Sequence, residues 1–162
     1  MNATTLARSS ALGAASGIRS MTAIAAVSRA AASGRWALER SPLDFLGDQR
    51  VSVGLVVMAA GEILADKTPF VPKRTQPVVW LWRSFMGGAV GAAASINDDD
   101  PMWAGALTGA GAAAVSTYVA YRLRMALQRL GLPNVTAGAV GDVKAVVLSA
   151  VAVLTVQQKR RR

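Results

Sequence analysis

The sequence predicts an all-α fold, a polytopic helical membrane bundle of about five spans in a single domain covering 1–162. Three observations predict it. Charged residues make up 17% of the chain, where a soluble domain carries roughly 25%. The apolar residues gather into long blocks instead of one stripe with a charged opposite face. Most charges sit at the edges of those blocks, where Trp80, Trp82, Trp103, Tyr118 and Tyr121 also lie, as interfacial aromatics do.

A helix crosses a bilayer with roughly 20 mostly apolar residues. The first candidate span, near 9–32, is Ala-rich but contains Arg19 and Arg29. The second, near 51–65, is short and contains Glu62; Asp66-Lys67-Thr68-Pro69 ends it, and Pro69, Pro72 and Pro77 follow. The third, near 78–96, is interrupted by Arg83. Asn97-Asp98-Asp99-Asp100-Pro101 separates it from the fourth, the uncharged block 101–121; acids and Pro both suit a helix start. Gly131-Leu132-Pro133-Asn134 reads as a helix-to-helix turn. The fifth, near 134–156, carries Asp142 and Lys144, and 157–162 is a basic tail.

Composition excludes much chemistry. The chain has no Cys and no His, which removes thiol nucleophiles, disulfides, His general bases and nearly all zinc or haem sites. It has no phosphate-binding or dinucleotide glycine motif. The expectation is therefore a protein that is not an enzyme, with no catalytic residue, no metal and no cofactor. The net charge of +9 suits anionic lipid better than nucleic acid, because basic residues are not interleaved with exposed aromatics. The expected partners are the lipid bilayer and anionic headgroups at Lys159, Arg160, Arg161 and Arg162; no nucleic acid is expected. The N-terminal 38 residues carry only positive charge, a pattern shared with organelle transit peptides.

Small residues recur at four-residue spacing: Gly13 and Gly17, Gly87 and Gly91, Gly105 and Gly109. Helices in lipid pack through such faces, within one chain or in a homo-oligomer. Gly61-Glu62 in the second span matches Gly141-Asp142 in the fifth, and Ala11-Leu12-Gly13 in the first resembles Ala106-Leu107-Thr108 in the fourth. Spans one and two would then repeat as four and five, with the second copy inverted in the membrane, as in many transporters. With the C-terminus inside, eight basic residues (Arg29, Arg35, Arg40, Arg50 and the tail) face seven (Arg8, Lys67, Lys73, Arg74, Arg122, Arg124, Arg129). The dense tail favours C-in, N-out.

The charges inside spans define the candidate polar site: Arg19, Glu62, Asp66, Lys67, Arg83, Asp142 and Lys144. A charge at the bilayer centre costs roughly 2.5–3.5 kcal/mol on insertion scales. Such groups pair, face water or lie near an interface. Arg19 and Arg83 are expected to snorkel to the headgroups. Lys144 is two residues from Asp142 and so points to another face of its helix. In an inverted repeat Glu62 and Asp142 approach one another, and two carboxylates in a dry interior attract a proton or a cation. The plain alternative makes Glu62 and Asp66 interfacial acids near a helix end.

Three stretches carry a family resemblance: Gly17-Ile18-Arg19 in the first helix, Gly61-Glu62-Ile63-Leu64-Ala65-Asp66-Lys67-Thr68-Pro69 at the end of the second, and Trp82-Arg83-Ser84-Phe85-Met86-Gly87-Gly88-Ala89 leading into the third. With Asn134 and Asp142 ahead of the final apolar helix, the chain resembles the bacterial integral-membrane family catalogued as domain of unknown function 4126. The resemblance implies a multi-helix protein of the bacterial inner membrane, with 9–32 as a helix, and implies no activity. Two functions follow as expectations. One is passage of a small solute or ion, with Glu62 and Asp142 at the site. The other is a structural or accessory membrane role through the Gly and Ala faces or the basic tail.

Overall fold

Asn2 starts the first helix: its side chain accepts the amide of Thr5, the ordinary N-cap arrangement. This places the start of α1 (Ala3–Ile18) ahead of the apolar block. In the computed structural model, which describes residues 1–65, 77–129 and 134–154, there follow α2 (Ser20–Ala32), a 3-10 turn at Asp44–Gly47, α3 (Gln49–Ala65), α4 (Pro77–Asn97), α5 (Met102–Arg129) and α6 (Asn134–Leu154). The described residues are all-helical.

Two helix ends use the same device. After α2, Gly34 takes a positive φ of 69°; its amide and that of Arg35 turn back to Ala31 and Ala30. After α4, Asp99 takes φ 57°, and the amides of Asp99 and Asp100 turn back to Ile96 and Ser95. In both cases the reversed bonds satisfy carbonyls that a helix end leaves bare. Gly adopts this backbone without strain, and Asp tolerates it better than most residues.

Cross-links fix the directions. Arg8 pairs with Asp98, and Arg83 reaches the carbonyls of Gly17 and Ile18, so α1 and α4 are antiparallel. Glu62 meets the start of α2, and Ser28 bonds Leu46 just before α3, so α2 and α3 are antiparallel. Ala37 bonds Asn97 at the far end of α4, so α2 climbs back to the end where α1 began. Thus α1 and α2 form a helical hairpin with its tip at Arg19. The tip lies six residues, about 9 Å, inside the start of α4, and Thr117 at the same level lies twelve residues, about 18 Å, from the end of α5.

The core is built from small residues. A Cβ on Gly13 would overlap the Gly109 carbonyl, and one on Gly17 the Ala113 carbonyl; one on Gly91 would overlap Gly105, and one on Gly109 would overlap Gly87. These six glycines bring α1, α4 and α5 to backbone contact, with α5 parallel to α1 and antiparallel to α4. Around this seam pack Leu12, Ile24, Val27, Val90, Ala93, Ala94 and Ala152. Many large apolar side chains of α3, α4, α5 and α6 point outward: Val57 is 65% exposed, Phe85 66%, Leu107 69% and Val143 63%.

The structure corrects several expectations. The block 9–32 is two helices, because the chain breaks at Arg19. The fourth candidate span falls in α5, which runs on to Arg129, so Tyr118 and Tyr121 lie within that helix and not at its end. The inverted repeat is not found in the described residues: α1 and α5, its supposed equivalents, run parallel, and α5 has no break. Finally, among the described residues no helix is long and apolar enough to cross a membrane. The reason is visible in the packing. α3 has only 17 residues, and α4 spends its inner face on Arg83, Gly87, Gly91 and Ser95.

The seam gives a direct contrast. Gly109→Val should destabilise the protein by about 3 kcal/mol, the upper range for overpacking. Gly54, where an added Cβ meets nothing within 4 Å, should accept Ala with a gain of up to about 0.8 kcal/mol. Thermal denaturation of the two variants, followed by circular dichroism, checks both signs.

Candidate functional site

A helix interrupted inside a protein exposes carbonyls at one cut end and amides at the other. At Arg19, with extended φ −141° and ψ 111°, both sets appear side by side at the hairpin tip. The amides of Ser20 and Met21, which a continuous helix would give to Ser16 and Gly17, donate instead to Oε1 and Oε2 of Glu62 at 3.1 and 2.9 Å. A carboxylate is the natural partner of a helix N-terminus. At the other cut end, Nη1 of Arg83 donates to the carbonyls of Gly17 and Ile18, each at 2.6 Å. Thr117 Oγ1 lies 3.0 Å from the Gly17 carbonyl, and Ser116 donates to that of Ala14.

The two caps then meet. Arg83 Nη2 stands 3.9 Å from Glu62 Oε1, and Arg19 Nη1 donates to the backbone carbonyl of Glu62 at 3.0 Å. Arg19 is 2% exposed and Arg83 6%, while the Glu62 side chain keeps 19% of its surface open. The two arginines therefore do not snorkel to a rim. They are buried, Arg83 against the carbonyls of Gly17 and Ile18 and near the Glu62 carboxylate, Arg19 against the backbone carbonyl of Glu62. The arrangement joins one acid, two guanidiniums and two helix ends of opposite polarity in one place.

A second cluster lies at the other end of α1 and was not anticipated as a site. Arg8, 6% exposed, pairs with Asp98; Thr5 Oγ1 is 2.8 Å from the same carboxylate oxygen. Sequence placed Asp98 among acids separating two helices and Arg8 among terminal charges. The signal available was the N-cap at Asn2, which starts α1 early enough to carry Arg8 alongside the end of α4.

Of the other candidate residues, Asp66 and Lys67 lie outside the described residues, as do Lys159, Arg160, Arg161 and Arg162. α6 is described, but the side chains of Asp142 and Lys144 are not, so the expected meeting of Glu62 with Asp142 falls outside the described residues. What is described is that Glu62 faces amides and arginine. The helix-packing candidates Gly13, Gly17, Gly87, Gly91, Gly105 and Gly109 all lie in the α1–α4–α5 seam. They position the site, because the approach of α5 to α1 puts Thr117 on the Gly17 carbonyl.

The model of the family described as Domain of unknown function (DUF4126) matches residues 6–155, from α1 to just past α6. No curated protein and no solved structure matches the chain.

Removing the partners should cost unequal amounts. Glu62→Gln keeps an acceptor but loses the charge, and should lower stability by about 2 kcal/mol. Arg83→Leu uncovers two buried carbonyls and the carboxylate, and should cost about 4 kcal/mol. Denaturant titration of each variant against the parent chain measures the order.

Proposed function

We propose that this chain, which belongs to the family described as Domain of unknown function (DUF4126), is a membrane-embedded bundle that passes a small solute or ion by way of the hairpin tip at Arg19. The observation that carries the reading is the inside-out distribution of residues around that tip. Charges and cut helix ends face inward, while Val57, Val78, Leu81, Phe85, Trp103, Leu107 and Val115 face outward, each more than 60% exposed. A monomer in water does not leave so much apolar surface bare; lipid would cover it. Non-helical backbone at membrane depth is tolerated where it is buried in protein or lines a cavity. Transporters build their sites from such broken helices, because the cut ends offer ready-made partners for charged solutes.

The bacterial inner membrane remains the location the reading favours. The helices need not each be apolar throughout, since only the outward faces of α3, α4, α5 and α6 would meet lipid. The candidate solute site shifts from a pair of carboxylates to Glu62, Arg19 and Arg83 around the break.

A structural role is the second reading, and one observation favours it. The tip's charges are already engaged within the protein: the Glu62 carboxylate holds two amides, and Arg83 holds two carbonyls. A cluster so engaged could serve only to fix a bundle that supports partner helices or anionic lipid.

The absence of cysteine makes the test direct. Ile18→Cys places a thiol beside the tip, and Val57→Cys places one on the outer face. In native membranes treated with a membrane-impermeant maleimide, passage predicts labelling at 18 and protection at 57. Protection at 18 that ends only on denaturation would select the structural role. Labelling at 57 would remove the membrane reading.

A further inference from the structure

The hairpin tip is held from two sides. From α1, hydrogen bonds run to α4 and α5: Ser9 to the Gly91 carbonyl, Arg83 to the carbonyls of Gly17 and Ile18, Ser116 to Ala14, and the Arg8–Asp98 pair. The glycine seam adds backbone contact between the same three helices. From α2 and its following turn, hydrogen bonds run to the α3 side: the amides of Ser20 and Met21 to Glu62, and Ser28 to the Leu46 carbonyl. Ile24, Val27 and Ala30 of α2 and Val90, Ala93 and Ala94 of α4 belong to one buried apolar cluster, and α2 packs against α4. Apolar helix faces of this kind are ones on which packed helices slide.

We infer that Arg19 is a hinge between an α1–α4–α5 body and an α2–α3 body, and that the approach of Arg83 to Glu62 is the latch that holds them closed. Three features support it. Arg19 has extended backbone between two helices, and the ladder that would cross it is diverted to Glu62. Each cut end is bound by the body to which its helix belongs, so a rotation at Arg19 leaves both caps made. One contact that crosses near the tip, Arg83 to Glu62 at 3.9 Å, is long for a charged hydrogen bond. The Ala37–Asn97 bond at the far end serves as the pivot's second support.

The inference deepens the passage reading, in which opening would uncover the tip. The movement itself is read without a flux or labelling assay, so it can fail while water access at the tip stands. Spin labels at Val57→Cys in α3 and Leu107→Cys in α5 span the two bodies; labels at Phe85→Cys in α4 and Leu107→Cys lie within one. All three positions are exposed. Distance distributions are measured by pulsed electron resonance on the full chain in phosphatidylglycerol–phosphatidylcholine bilayers, with and without Glu62→Gln. The hinge predicts that the substitution shifts or broadens the 57–107 distribution by several ångströms while the 85–107 distribution stays superimposable. An unchanged 57–107 distribution overturns it. If Glu62→Gln disturbs the control pair as well, the same two pairs are read in Glu62→Asp, which keeps the charge on a shorter arm. A shift confined to 57–107 there supports the hinge, and its absence overturns it.

Discussion

A helix that stops inside a packed structure must find partners for the carbonyls it leaves and the amides it begins again. Here that requirement falls at Arg19, and the placement of the other helices answers it. α3 must bring Glu62 to the amides of Ser20 and Met21, and α4 must bring Arg83 to the carbonyls of Gly17 and Ile18. An unpaired backbone group in such a setting costs on the order of 1–3 kcal/mol, and four are settled by two side chains. The charges that looked anomalous in apolar blocks are thus the caps of a broken helix.

The glycine seam makes those caps reachable. An arginine on α4 reaches the end of α1 because Gly87 and Gly91 allow α4, α5 and α1 to approach to backbone contact. Dispersion between backbones replaces the large apolar side chains that usually fill a core. Those side chains are then free to face outward, which gives the molecule its inverted distribution of polarity. Seam, break and apolar exterior are one arrangement seen at three scales.

The helical class was legible in the blocks of apolar residues and in Pro101 and the acids ahead of it. The residues of the site were legible too, since charge inside an apolar block marks Arg19, Glu62 and Arg83 whatever their partners. The partners were not legible. Glu62 accepts from the amides of Ser20 and Met21, which exist as donors only because the helix breaks. The break itself had a weak signal, Gly17 and Ser20 flanking an arginine, that helical periodicity overrode. Direction was lost with it: reading 9–32 as one helix made the repeat look inverted.

The account rests on that hairpin, and one distance tests it. Leu6, near the start of α1, and Ser33, just past α2, are both exposed and accept spin labels as Leu6→Cys and Ser33→Cys. A continuous helix would hold them 27 residues apart, about 40 Å. A hairpin with its tip at Arg19 holds them on either side of the end of α4, within about 20 Å, or two interhelical spacings. A distribution centred near the shorter value in lipid bilayers is the predicted result. One centred near 40 Å would contradict the hairpin, and with it the site, the hinge and the caps that explain the buried charges.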